Sequence, residues 1–410
     1  MRKIFYFIVL LSLVMVACSK ENQVLNDPPV IKVKTLAKVT PQKAKIGDTI
    51  TIEGENLDKI SLMFNGTRNF SIISVQSNKI VAIVPTLYNE NVTIKSMTDD
   101  THANDSITFN LVGFFPVEHS IPGEDINHIK MVSDKIYFAA TGSKLYKTID
   151  GGYKWTLIKD FNFLICSMYF LDEKTGWVSS VETAGYLYFT NDGGKSFQSI
   201  FKSGVYYDGK VIMDMCFSSP TNGYLLTGKG EIYVTNDNSK FNLAYAYPES
   251  NKVSAYIEFY FLSVYNNTVM ATGLSGADGK VPVLIKAQNS IYSSSTFSNA
   301  VQKVQLINDQ EAYMIQGYKL YYSNNAGNTW AKVSDMKLYN IYFVDKNHGF
   351  GISGDINNGH HIILKTNDGG ISWQNGLVLD DFQYTLDIAY NGHVGMFSGY
   401  RNHLWKYIKE

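Results

Sequence analysis

The stretch Thr148-Ile149-Asp150-Gly151-Gly152-Tyr153-Lys154-Trp155 returns three times further along the chain. The copies are Thr190-Asn191-Asp192-Gly193-Gly194-Lys195-Ser196-Phe197, Ser323-Asn324-Asn325-Ala326-Gly327-Asn328-Thr329-Trp330 and Thr366-Asn367-Asp368-Gly369-Gly370-Ile371-Ser372-Trp373. A fifth, Thr235-Asn236-Asp237 to Phe241, is decayed. The chemistry is that of a hairpin turn. Asp and Thr/Ser oxygens accept the turn's own N–H groups, glycine supplies positive φ, and the aromatic folds back to pack. The acidic side chains are thereby turn staples, not catalysts or metal ligands.

Each copy follows a strand of the form Leu/Ile-Tyr/Leu-x-Thr/Ser. Seven such strands begin at Leu145-Tyr146, Leu187-Tyr188, Ile232-Tyr233, Leu284-Ile285, Leu320-Tyr321, Ile363-Leu364 and Leu404-Trp405. A period of about 40 residues is the size of a propeller blade. Residues 113–410 therefore read as a seven-bladed β-propeller. The seventh unit stops at Glu410 without its outermost strand. Phe114 to His119, within 113–120, is a spare strand that would complete that blade and remove an exposed edge.

These turns resemble the Asp-box (BNR) repeat of sialidases, xyloglucan-type endoglucanases, sortilin-like receptors and photosystem II assembly factors. Asp150, Gly151, Gly152, Trp155, Asp192, Gly193, Gly194, Asn325, Gly327, Trp330, Asp368, Gly369, Gly370 and Trp373 occupy its structural positions. The seven-blade count resembles the assembly-factor and xyloglucanase types; sialidase rings have six blades and sortilin-like rings ten. Sialidases hold a substrate carboxylate with three Arg, whose fixed fork is bidentate. This chain has Arg2, Arg68 and Arg401 only, which excludes that activity. It also lacks the Arg patch of the assembly factors and the second ring that walls the xyloglucanase cleft.

Upstream, residues 36–112 alternate in short runs (Thr49 to Ile52, Ser61 to Phe64, Ile80 to Val84, Asn91 to Lys95, Ser106 to Phe109) separated by Gly/Asn/Asp turns, the spacing of a β-sandwich. Val39-Thr40-Pro41, the run Gly47 to Gly54 and Ile83-Val84-Pro85 resemble the IPT/TIG immunoglobulin-like family. That resemblance implies a spacer or binding platform. The expected fold is all-β, an Ig-like sandwich followed by the propeller.

The start of the chain is an address. Arg2-Lys3 precede an apolar run from Ile4 to Val16, and Ala17-Cys18 follow. Such a run is a secretory signal, too short for the ~20 residues of a membrane span. Met15-Val16-Ala17-Cys18 resembles a bacterial lipobox, which implies a signal over 1–17, lipidation of Cys18 and a tether over 18–35. Ser19-Lys20-Glu21-Asn22 resembles the export tag of Bacteroidetes-like surface lipoproteins. The expected location is the outer membrane through the lipid anchor alone, at the cell surface, with the periplasmic face as the alternative. The mature chain carries 34 basic and 37 acidic residues, net −3; with no basic run, nucleic acid is not an expected partner. Cys166 and Cys216 fall on equivalent strands of neighbouring units in sheets about 10 Å apart. A disulfide needs Cα atoms within roughly 7 Å, so two buried free thiols are expected.

On a propeller, the links between blades and the turns between second and third strands share one rim; the Asp-box turns lie on the other. The first rim collects Tyr206, Tyr207, Asp208, Tyr245, Tyr247, Asp355, Asp380, Asp381 and Tyr384, the candidate ligand-binding residues. Aromatics beside carboxylates suit sugar stacking or a protein hot spot; the competing reading is loop-on-loop packing. His360-His361 reads as a solvated loop, since neighbouring His face opposite ways and no further ligand sits at metal spacing. No cofactor motif appears. The function expected is non-catalytic recognition of a polysaccharide or of an envelope or surface protein. The alternatives are a glycoside hydrolase or lyase, for which Asp380-Asp381 would be the acid/base pair, and an envelope assembly or adhesion factor.

Overall fold

The computed structural model describes residues 35–97, 103–182, 184–205, 210–248, 257–276, 280–355, 360–379, 385–399 and 403–410. These form strands and one 3-10 turn. Two four-stranded sheets make the sandwich. One orders Leu36–Thr40, Thr49–Gly54, Lys79–Ile83 and Ile72–Gln76; the other orders Lys43–Ala44, Ala103–Leu111, Asn91–Met97 and Ser61–Phe64. The period-2 alternation puts Ile50, Ile52, Phe64, Ile80, Val92, Ile94 and Phe109 inside.

Seven further four-stranded antiparallel sheets form the ring. Blade 1 is His128–Met131, Tyr137–Thr141, Lys144–Thr148 and Thr156–Asp160. Blade 2 is Ile165–Phe170, Gly176–Val181, Ala184–Thr190 and Gln198–Val205. Blade 3 is Ile212–Phe217, Gly223–Thr227, Glu231–Thr235 and Asn242–Ala246. Blade 4 is Glu258–Tyr265, Thr268–Ser275, Val281–Gln288 and Ile291–Thr296. Blade 5 is Val301–Leu306, Ala312–Gln316, Lys319–Ser323 and Ala331–Ser334. Blade 6 is Leu338–Phe343, Gly349–Asp355, His360–Thr366 and Gln374–Leu379. Blade 7 takes Thr385–Tyr390, Val394–Gly399 and His403–Ile408 from the C-terminus, and Gly113–Pro116 pairs antiparallel with the last of these.

Three of the seven seams between blades share one contact. An aromatic near the end of a first strand lies face to face with an aromatic on the second strand of the blade before it. Phe138–Phe170 centroids are 3.6 Å apart, Trp177–Phe217 3.7 Å and Tyr313–Phe343 3.6 Å. Glycine makes room for them. A Cβ on Gly176 or Gly223, at the head of the second strand, would come within 2.2 Å of Phe170 or Phe217.

The turns between third and fourth strands are closed by their own side chains. Thr148 Oγ1 donates to Asp150 Oδ1 (2.9 Å) and accepts from Gly152 N (3.2 Å); Asp150 Oδ1 accepts from Lys154 N (3.0 Å). Gly151 and Gly152 hold φ of 87° and 100°. The same bonds recur at Thr190/Asp192/Gly194, Ser323/Asn325/Gly327 and Thr366/Asp368/Gly370. In blade 3, Asn238 supplies the positive φ (61°). The four intact turns are pinned to the first-to-second-strand turn of their own blades, as by Gly151 N to Lys135 O and Gly193 N to Lys174 O, both 2.9 Å. The Asp192 carboxyl is held down at about 2, mainly by the Ser196 hydroxyl and N–H.

The sandwich docks on this same rim, at blades 1 and 7. Lys406, its side chain 2% exposed, donates to Glu90 Oε2 (2.7 Å) and to Gly151 O (3.3 Å), and the Tyr153 hydroxyl accepts from Glu90 N (3.1 Å). Lys45 pairs with Glu410 at 2.8 Å. One apolar core then runs from Ile50 and Phe109 through Phe115 and Val117 to Tyr137 and Trp155. Stranding one member of a buried ion pair costs about 3 kcal/mol or more, whereas replacing both by apolar groups costs less. In urea unfolding, Glu90→Ala is expected to lower stability by about 3 kcal/mol, and Glu90→Leu with Lys406→Met by less than the single change.

Candidate functional site

Two places concentrate polar and aromatic side chains away from the sandwich, namely the central channel and the rim opposite the stapled turns. First strands leave a free backbone edge toward the axis, and side chains tie that edge seam by seam. Ser167 donates to Asp214 Oδ1 (3.3 Å), and Asp214 Oδ2 accepts from Leu262 N (2.8 Å). Ser263 accepts from Leu306 N (2.8 Å), and Gln305 both donates to Phe343 O and accepts from Phe343 N (2.8 Å each). Tyr342 donates to Tyr390 O (3.0 Å), and Asp387 Oδ2 accepts from Ile129 N (3.0 Å). Between blades 1 and 2, Lys130 Nζ lies 4.3 Å from the Tyr169 ring centroid. Every seam thus carries a side-chain link, and the channel polar groups serve closure.

Burial pushes the Asp214 carboxyl up to about 6, against two backbone N–H donors, Lys303 and Ser167. Burial likewise pushes Lys130, Lys303 and His128 down. Cys166 and Cys216 are free thiols raised to about 11, mainly by burial. They are half-buried rather than buried, because both sit on first strands beside the channel. Among the described residues, no three His, Cys, Asp or Glu side chains converge as a metal site requires.

Of the candidate ligand residues, Tyr206, Tyr207, Asp208, Asp380, Asp381 and Tyr384 lie outside the described residues, as does Cys18. Asp355 ends the second strand of blade 6. Tyr245 is half-buried and stacks on Tyr292 (5.2 Å, 16°). Tyr247 does not offer a ring to a ligand. It is buried at 8% exposure, its hydroxyl is 3.1 Å from Ser275 Oγ, and its ring packs on Phe259. His360 and His361 are not on a loop; both begin a strand, and His361 is buried.

A cluster absent from the sequence reading stands on the same rim at blades 5 and 6. Tyr318, in the second-to-third-strand turn of blade 5, is 42% exposed. Its ring meets Tyr339 edge-on at 5.3 Å, and Tyr339 stacks on His361 at 5.4 Å and 26°. Burial lowers the His361 pKa, so the imidazole serves as a neutral flat layer. Lys337 Nζ lies 5.7 Å from the Tyr318 ring centroid and 5.6 Å from that of Tyr339. Tyr318 also holds φ +65°, a conformation costing a bulky residue about 1 kcal/mol or more. Elsewhere among the described residues, positive φ outside glycine falls to Asn, Ser290 and Ala326. A Gly317-Tyr318 pair in a two-residue hairpin, where Asn-Gly is favoured, is the signal that could have revealed it.

Residues 35–114 match the IPT/TIG domain. The N-terminal sandwich is an IPT/TIG domain. No curated protein matches the chain. Among solved structures, YCF48 from Cyanidioschyzon merolae aligns over 72% of this chain and 99% of its own at a TM-score of 0.58 and 16% identity. A structure of YCF48 bound to a D1 peptide aligns over 73% and 97% at 0.56 and 17%. The WD40 propeller domain of Doa1 aligns over 73% and 98% at 0.54 and 10%. At these identities the likeness is one of fold, a β-propeller following the IPT/TIG domain.

Because folded Asp214 holds its proton more tightly than the unfolded carboxyl near 3.9, its ionisation erodes stability as pH rises from about 4 to 6. The unfolding free energy of the native protein minus that of Asp214→Asn is expected to fall by about 2 kcal/mol between pH 4 and 7. Chemical denaturation at stepped pH reads this directly.

Proposed function

We propose that this protein is a lipid-anchored, non-catalytic recognition protein of the bacterial outer membrane, holding its ligand on the rim opposite its IPT/TIG domain. In this reading Cys18 carries the lipid, the IPT/TIG domain is the stalk, the stapled turns are Asp-boxes, and the propeller is the head. The ligand is a polysaccharide or a partner protein.

One observation carries the assignment of the face. The IPT/TIG domain covers the stapled-turn rim at blades 1 and 7 through Lys406, Glu90 and Tyr153, while the opposite rim presents the exposed Tyr318 beside Lys337 and Tyr339. A head docked on its stalk by one rim meets other molecules with the other. Loops on a rigid scaffold are also where binding residues concentrate. In the channel, by contrast, the carboxylates of Asp214 and Asp387 already accept backbone N–H groups.

The test compares the two rims, using the polysaccharide returned by a glycan array or, if the array is blank, the envelope protein trapped by crosslinking on cells. Tyr206→Ala/Tyr207→Ala/Tyr384→Ala is expected to weaken binding at least tenfold, about 1.4 kcal/mol, without lowering the melting temperature. Ile149→Asp/Ile371→Asp alters two side chains more than 70% exposed on the stapled-turn rim and is expected to leave affinity unchanged. The opposite pattern would move the site to that rim.

A further inference from the structure

The cluster at blades 5 and 6 has a chemistry of its own. Tyr318 is solvent-facing in a backbone conformation that glycine or asparagine adopts at lower cost. Strain retained at one exposed aromatic points from geometry to use. Its amide donates to Gln302 Oε1 (3.3 Å) and its carbonyl accepts from Leu338 N (2.8 Å), so the turn is held in place from both sides. Behind it, Tyr339 and the buried His361 form a stacked backing.

Among the described side chains, the charge at this spot is one-sided. Lys337 makes ring contacts only and has no hydrogen bond or ion pair among the described residues. The neighbouring carboxylate, Asp335, is taken by Lys319 and Lys332 at 2.8 and 2.9 Å. An aromatic face thus stands beside an ammonium whose charge, among the described side chains, is met only by two ring quadrupoles. A neutral sugar would use the ring and leave the ammonium as it is. A sugar bearing a carboxylate uses both, one face stacking on the ring and the acid pairing with the cation.

We propose that Tyr318, Tyr339 and Lys337 form a binding platform for an acidic polysaccharide, a polymer containing uronate residues. This rests on the reading above that the open rim is the binding face. Tyr318 supplies the stacking surface, Tyr339 and His361 hold it in position, and Lys337 selects the carboxylate. The charge-assisted part weakens with added salt.

The test measures binding of the intact protein to three uronate polymers (polygalacturonate, alginate, hyaluronate) and two neutral ones (dextran, pullulan). The expected result is at least one uronate polymer bound at least tenfold more tightly than either neutral polymer, with affinity falling as salt rises. Tyr318→Gly should abolish that binding without lowering the melting temperature, because glycine relieves the backbone. Lys337→Gln should lose the preference for acid, and Lys337→Arg should keep it. Equal affinity for acidic and neutral polymers, or an unchanged preference in Lys337→Gln, overturns the acidic class while the rim remains the binding face. Full binding by Tyr318→Gly overturns the platform, as does a melting temperature lowered in that variant, which marks Tyr318 as a packing residue. No binding to any of the five overturns this proposal, and the wider reading is then decided by the comparison of the two rims.

Discussion

Closing a ring of seven sheets is the constraint on which the rest of this protein depends. Each blade leaves a free first-strand edge on the axis, and the first and last strands of the propeller share one blade. Both problems are solved by contacts between residues far apart in sequence. Asp387 accepts from Ile129, 258 residues away, and Gly113–Pro116 pairs with His403–Ile408. Without such links an open arc would expose strand edges at its ends. With them, the central polar residues are structural: Asp214 is costly when charged, yet it holds the Leu262 amide of the next blade.

Closure also fixes where the IPT/TIG domain goes. The chain leaves the IPT/TIG domain directly into the strand that completes blade 7, so the two domains meet at the seam of the ring. The buried Lys406 belongs to the third strand of blade 7, bonds Glu90 of the sandwich and reaches the Gly151 carbonyl of blade 1. One side chain therefore links the last blade, the first blade and the sandwich. Stapled turns suit this contact. Their carboxylates are consumed internally, leaving a firm rim to dock on. The other rim is built of second-to-third-strand turns and links between blades, and it is there that an exposed, strained tyrosine stands.

The fold class was legible because its signals are local. A Thr-x-Asp-Gly-Gly turn satisfies its own N–H groups within eight residues, so three copies and the Ser323-Asn324-Asn325-Ala326-Gly327 variant announce their geometry without a partner. The alternation of Thr49 to Gly54 announces a sandwich strand in the same way. The closure belt was not legible. Ser167, Asp214, Ser263, Gln305 and Asp387 are single polar residues in apolar strands, and their partners lie a blade or a whole ring away. Aromatic content in a loop likewise could not separate Tyr247, which turns inward to Ser275, from Tyr318, which faces out. That difference is set by tertiary packing. His361 was misread for a related reason: the strand it begins is defined by its pairing with Gly354, not by its own neighbours in sequence.

The central claim is that the ligand meets the rim opposite the IPT/TIG domain. Hydroxyl-radical footprinting of the intact protein, with and without saturating polygalacturonate, tests it most directly. The account predicts protection at Tyr318, Tyr339 and Met336, with Ile149, Ile371 and the IPT/TIG domain unchanged. Protection confined to the stapled-turn rim or to the sandwich would contradict it.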